Sequence, residues 1–328
     1  DALGEGALGA ECVEAAGNRT GVLAAFAGLA LELVRPAGVE GELHVGLVVL
    51  ADPRARVLEV AAGDEYMLQL ISTGDDPEKE EAAIRRLNGR VDGLIYVPAK
   101  EDSNVIAELE DFSFPIVFVD RVISNLNTFD SVLADNHHGA VLATKHLIEH
   151  GHTAIAHIAG PAASTPGKGR TEGYLAALKK AKIEKNHDYY VESDFTVLGG
   201  YQAMMGLLAL KKRPTAVFVG NNLMTIGALK ALKESKVNVP DEMAVIGFDD
   251  HELSDLVDPP LTVISRDAHL QGALAMSTLL ERIRDGYQFP PKQLKVDSNL
   301  VIRQSCGSTC RYRNMDAGKK ILSSSTSS

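Results

Sequence analysis

The sequence predicts a two-lobed α/β protein built on parallel sheets, and three observations predict it. The chain has 328 residues, more than one ordinary core holds and enough for two domains of about 130–150 residues. From Leu43 onward, short β-branched apolar runs alternate with amphipathic helical stretches, the pattern of strands buried on both faces. Polar residues gather just after several of these runs, where open parallel sheets bind ligands.

In order along the chain, Leu43–Leu50 reads as a buried strand and Tyr66–Ser72 as the next. Asp76-Pro77 supplies an N-cap and a first-position proline that open a helix over Glu78–Leu87, and Gly89 stops it. A strand at Val91–Val97, a helix near Asn104–Asp111 and strands at Ile116–Val119 and Ser131–Ala134 follow. A helix at His138–His150 is closed by Gly151. The second half repeats the rhythm. The strand Ala154–Ala159 leads to helices Arg170–Ala181 and Gly200–Leu210, then strand Ala216–Val219 and helix Met224–Glu234. Strand Ala244–Gly247, a long helix near Ala268–Arg284 and strands near Gln293–Val296 and Leu300–Ile302 complete it. Residues 1–42, rich in Ala, Gly, Glu and Leu, do not join this pattern, and the serine-rich end beyond Cys306 reads as low-complexity tail.

The bulk numbers exclude several classes. A net charge of −11, with no Trp and 5% aromatics, argues against a chain-wide basic face or a stacking platform for nucleic acid. The three cysteines, Cys12, Cys306 and Cys310, give no disulfide framework and suit a reducing compartment. Cys306 and Cys310 read as two thiols in a frayed tail. There is no apolar run of about 18 residues, so no transmembrane helix or membrane partner is expected. The apolar stretch Gly21–Leu31 lacks a basic upstream flank, so export is not expected and the predicted location is cytoplasmic.

The motifs of catalysis fail one by one. His146-Leu-Ile-Glu-His150 has the spacing of an inverted zinc-protease signature. Gly151 ends its helix at once, and His150 suits a helix C-terminus. In the loop Gly160–Gly169, Ala162 stands where a phosphate loop needs its first glycine, and Gly169 where Ser or Thr must hold magnesium. No G-x-G-x-x-G follows the first strand, and no G-x-S-x-G exists. The expectation is no enzyme, no cofactor and no metal. What remains is polar chemistry at strand ends. Asp120 follows Ile116–Val119, Arg170 opens the helix after the Gly160 loop, Asn221 follows Ala216–Gly220, and Asp249 follows Ala244–Phe248. Carboxylates, a planar fork and an amide suit ligand hydroxyls, although each such residue taken alone is more often a turn former or cap. Phe195, before Gly199-Gly200, offers either a ring face or ordinary core packing.

Several stretches carry a family resemblance: Arg90–Ile95, Pro115–Arg121, Ala134–Asn136 with Gly139, Thr144–Gly160, Arg213–Phe218, Val239–Asp250 and Pro260–Ile264. In their order and spacing, from Tyr66 to Gln304, the chain resembles the effector-binding core of the LacI/GalR family of bacterial transcription regulators. The resemblance implies two flavodoxin-like lobes of the periplasmic-binding-protein type, with the ligand between them. Three crossovers join them, near Ala159–Ala162, Pro259–Arg266 and Pro290–Asn299. It places one lobe at 43–158 plus about 263–293, the other at 159–262 plus about 296–306, and a disordered tail at 307–328. It also implies that Asp120, Arg170, Phe195, Asn221 and Asp249 are ligand contacts. In sugar-responsive members the positions of Arg170, Asn221 and Asp249 hold hydroxyls, and in the purine-responsive member that of Phe195 stacks on the ring. The implied partners are a small polar ligand (a sugar, sugar acid or purine), a second copy in a homodimer, and operator DNA in the full regulator. Effector binding would then shift a population between two lobe arrangements. The histidine cluster fits the family pattern His-Leu-Ile-x-x-Gly-His, which binds no metal.

The chain departs from that pattern at its start. Residues 1–45 hold seven acids against two bases, opposite in sign to phosphate contacts. Residues 1–42 are therefore expected to be a degenerate or missing helix-turn-helix, and operator binding by this chain is not expected. The loop Ala51–Arg56 lacks the family's Asn-Pro-Phe-type turn. A solute-binding protein of a sugar transport system is the alternative, since it shares the two-lobe architecture.

Overall fold

The computed structural model describes residues 29–30, 71–73, 76–87, 89–101, 114–123, 128–286 and 289–307. The expected strand at 43–50, the helix near 104–111, most of the N-terminal segment and the tail from 308 lie outside the described residues. Contacts divide the chain into two units, 1–133 with 268–294 and 134–267 with 295–328.

In the first unit a short ladder joins β1 (Leu29–Ala30) and β2 (Ile71–Ser72) antiparallel. The main sheet has four strands, β3 (Leu94–Tyr96), β4 (Ile116–Val119), β5 (Asp130–Ala134) and β11 (Gln293–Val296), in the order β11-β5-β4-β3. Strands β3, β4 and β5 run parallel. Helix α1 (Pro77–Leu87) begins where the Asp76 carboxylate accepts the Glu78 N–H, as its Asp-Pro start predicts. In α6 (Ala268–Asp285) the last turn carries Arg282, which grips Asp130 with Nε and Nη2 at 2.8 and 2.9 Å. The same guanidinium donates to the Phe289 and Pro290 carbonyls, and the Lys292 N–H donates to Asp130. One buried ion pair thus fastens helix, strand and the segment leading to β11.

The second unit holds six strands, in the order β12-β10-β9-β8-β6-β7. They are β6 (Ile155–Ala159), β7 (Tyr190–Glu192), β8 (Ala216–Val219), β9 (Ala244–Phe248), β10 (Thr262–Arg266) and β12 (Ser298–Val301). All pairings are parallel except β10 with β12. Because side chains alternate along a strand, Val217, Val219, Val245 and Val263 face one apolar cluster while Phe218, Ile246, Phe248 and Ile264 face another. The second of these packs against α2 (Asn136–Glu149) and α3 (Thr165–Lys180), and the first against α4 (Val197–Leu208) and α5 (Asn222–Glu234). Helices α2 and α3 touch at Gly173, where a Cβ would lie 2.3 Å from the His137 carbonyl oxygen.

By contacts the chain passes from the first unit to the second at 133/134 and back at 267/268, with α2 packed on α3 and β6 paired with β7 and β8. The segment Pro259–Arg266 contains β10, an interior strand of the sheet whose Thr262, Val263 and Ile264 are buried. Three expectations change. Strand β7 was not expected, since Tyr190-Val-Glu is short, polar and at the sheet edge. Helix α3 starts five residues early, with the Ser164 hydroxyl accepting the Gly167 N–H, so Arg170 lies inside the helix rather than at its opening. Finally, Cys306 is not a frayed thiol. It is fully buried, 3.2 Å from His146 Nε2 and 3.1 Å from Thr262 Oγ1.

Candidate functional site

The carboxyl ends of β6, β7, β8, β9 and β10 line up along one edge of the second unit's sheet. Gly160 follows β6, Asn221 lies just past β8, Asp249 directly follows β9, and Arg266 closes β10. Three residues past β7 comes Phe195.

Arg170 is the hub. From the second turn of α3 its Nε donates to Asn136 Oδ1 at 2.9 Å and its Nη1 to the Gly220 carbonyl. The guanidinium carbon sits 3.6 Å above the Phe248 ring centroid, a cation–π contact in a nearly dry setting. Nη2 stands 3.8 Å from Asp249 Oδ2, and Arg266 Nε holds Asp249 Oδ1 at 2.7 Å. Burial alone would raise the Asp249 carboxyl. The guanidinium groups of Arg266 and Arg170 overcome that and hold it below its usual range, so it stays an anion at neutral pH.

Asn221 works on two neighbours at once. Its Oδ1 accepts the Met224 N–H and caps α5, while its Nδ2 donates to the Phe195 carbonyl at 3.2 Å. The helix-cap reading of this residue is therefore met. Phe195 is 9% exposed and joins the apolar cluster with Ile158, Val219 and Met224, so the ring closes the core at this edge.

Backbone conformation singles out the same residues. Five non-glycine residues among those described have left-handed φ: Asp120, Lys182, Phe195, Lys236 and Asp249. Lys182 and Lys236 sit just past the C-caps of α3 and α5, a usual place for that conformation. The other three, at φ of 63°, 64° and 71°, follow strands and are all sequence-predicted site residues. For a bulky residue such as phenylalanine this conformation costs of order 1–3 kcal/mol, and such outliers cluster at functional sites.

Asp120 belongs to the first unit, buried after β4, with its N–H donating to the Val132 carbonyl. The neighbouring loop after β3 is fixed from two sides. Glu80, 1% exposed, accepts the Tyr96 hydroxyl and the Ala99 N–H, each at 2.6 Å, and Arg121 Nη1 donates to the Ala99 carbonyl. The structure thus gathers Arg170, Phe195, Asn221 and Asp249 in the second unit and places Asp120 in the first. Sequence reasoning missed Asn136, Arg266 and Glu80. Arg266 would have stood out had Thr262–Arg266 been read as a strand, because it then occupies a strand end.

Beneath this edge lies His157, fully buried in β6, its ring stacked on Phe218 at 4.7 Å and its Nδ1 bonded to the Phe218 carbonyl. Burial depresses its pKa to about 4. The bond to Phe218 pulls the other way and nearby Arg170 adds to the depression. Its Nε2 is buried without a hydrogen-bond partner. Among the described residues no group of three or more His, Cys, Asp or Glu could hold a metal ion, and no helix is long and apolar enough to cross a membrane.

Residues 144–306 match a periplasmic binding protein-like domain. The chain is 36% identical over 245 residues to the HTH-type transcriptional repressor PurR of Edwardsiella ictaluri, covering 74% of this chain and 72% of that protein. It is 33% identical over 270 residues to the ribose operon repressor of Haemophilus influenzae, covering 80% of each. The crystal structure of transcription regulator CcpA of Lactococcus lactis aligns with a TM-score of 0.73 at 26% identity, over 80% of this chain and 98% of that one.

Proposed function

This chain belongs to the LacI/GalR family of transcription regulators, and from that premise we propose that it is an effector-sensing core whose occupancy by a small polar molecule controls operator affinity. The observation that carries this reading is the Arg170–Asp249–Arg266 assembly, set beside the doubly bonded Asn221 amide and the strained Phe195. Charged forks, an anionic acceptor and an amide at parallel strand ends suit hydroxyls and ring nitrogens. The effector is a sugar, a sugar acid or a purine. The similarity to repressors named for purine and ribose regulation supports those classes, and supports a cytoplasmic regulator over a transport protein. The similarity to transcriptional repressors supports binding without turnover.

A homodimer is part of the same proposal. Ile226, Leu253 and Leu256 are 40%, 38% and 77% exposed. Ile226 and Leu253 rim a small apolar hollow with Leu229, Val257 and Leu261, a surface suited to a second copy. Sedimentation of the wild type against Ile226→Glu tests this, with a monomeric wild type refuting it.

The effector reading is tested by thermal shift against sugars, sugar acids, polyols and purines. A ligand that binds only the folded state raises the melting temperature. At least one compound of these classes should do so, and a silent panel refutes the reading.

A further inference from the structure

The Phe195 ring and Gly160 meet tip to backbone. A Cβ built on Gly160 would stand 2.0 Å from Phe195 Cζ, 2.1 Å from Cε1 and 2.9 Å from Cε2, far inside any real contact. The ring therefore reaches from the turn after β7 to the end of β6 and rests against a bare Cα.

It has little freedom to yield inward. Ile158, Val219 and Met224 in its core cluster are completely buried, and a close-packed core does not absorb a displaced ring. Its backbone is also held. The Phe195 carbonyl accepts the Asn221 amide, the Ser193 N–H donates to the Ala159 carbonyl, and Thr196 caps α4 through the Gly199 N–H. A side chain at position 160 would have to push the ring tip outward, toward the strand-end face.

We propose that Gly160 is a specificity-determining residue: by carrying no side chain it keeps the Phe195 ring down on the end of β6, and so sets the room for a ring-shaped effector above it. The class admitted is a molecule with one flat or ring-shaped face, a purine base or a pyranose. This rests on the effector reading of the strand ends. Pockets that differ by one methylene discriminate on the order of 10–200-fold, which is the scale expected here.

The test is calorimetric titration of four proteins: wild type, Gly160→Ala, Phe195→Leu and the double variant. The probes are guanine, hypoxanthine, cellobiose, glucose and ribose. Gly160→Ala should bind the wild type's preferred compound at least about tenfold more weakly, with a larger loss for the bigger member of a pair such as cellobiose against glucose. On the Phe195→Leu background the Gly160→Ala penalty should largely vanish, because leucine lacks the ring tip that clashes. A merely structural role would weaken all compounds alike. Unchanged affinity in Gly160→Ala, equal loss across compounds, or the same penalty on the Phe195→Leu background overturns the assignment. Failure of the wild type to bind any probe overturns the effector reading first and this inference with it.

Discussion

Each unit contains a buried arginine–aspartate assembly, and the two are built differently. In the first unit Arg282 and Asp130 are 2% and 0% exposed and bond through two matched contacts. The Phe289 and Pro290 carbonyls and the Lys292 N–H add three more, all from local backbone. In the second unit Asp249 is 12% exposed, shared between Arg170 at 3.8 Å and Arg266 at 2.7 Å, and sits on a left-handed backbone. The first assembly is closed on itself and ties elements together. The second combines a shared carboxylate with backbone strain, a combination that packing alone does not require. Burial and charge are common to both; geometry and backbone conformation tell them apart.

The largest expected effect falls on the first assembly. Arg282→Ala strands the Asp130 carboxylate in the core and should cost about 3–5 kcal/mol, read as a lowered urea midpoint. A loss below about 1 kcal/mol would break the contrast. Acid is the next lever, acting on the second unit through His157. Its pKa is about 4 in the fold and about 6.5 in the unfolded chain. Between those values the unfolded chain takes up the proton and the fold does not. Stability is therefore full above about pH 6.5 and falls by about 3 kcal/mol as pH drops toward 4. Denaturation series in His157→Leu should lose that part of the slope, and an unchanged slope would remove His157 from the account.

Arg170→Ala and Asp249→Ala should each weaken effector binding by about 1.5–3 kcal/mol, roughly 10–150-fold, with less loss of stability than Arg282→Ala. Calorimetry giving wild-type affinity in both would take the function out of the second assembly. The smallest effect separates strain at the site from strain elsewhere. Lys236→Gly relaxes a left-handed residue outside the site and should stabilise by up to about 1 kcal/mol without touching affinity. Phe195→Gly relaxes its backbone too, yet should lose binding in the same titration.

Much of this was legible in the sequence, for identifiable reasons. Ile116–Val119, Ala216–Val219 and Ala244–Phe248 are continuous apolar runs, and such runs announce buried parallel strands. Residues directly after them follow from the same rule, which is why Asp120, Asn221 and Asp249 were found. Edges and partners were not legible. Strand β7 has no apolar run because it lies at the sheet edge, and β10 was hidden behind Pro259-Pro260. Asn136 and Arg266 matter through contacts with Arg170 and Asp249, 34 and 17 residues away, a pairing no local pattern encodes. Gly160 is visible only once the Phe195 ring is seen against it.

Asn221 has a stereochemical consequence. A carboxamide offers two lone pairs and two N–H bonds, and here one of each is occupied by the Met224 N–H and the Phe195 carbonyl. Those two bonds fix which end is oxygen and which is nitrogen, so the group cannot rotate by half a turn to suit a guest. What it has left is one donor and one acceptor in set directions. In the proposed site, a single hydroxyl able to give and take a hydrogen bond would match that pair. Its epimer, with the hydroxyl on the opposite face of the ring, would miss both, so the amide would read chirality.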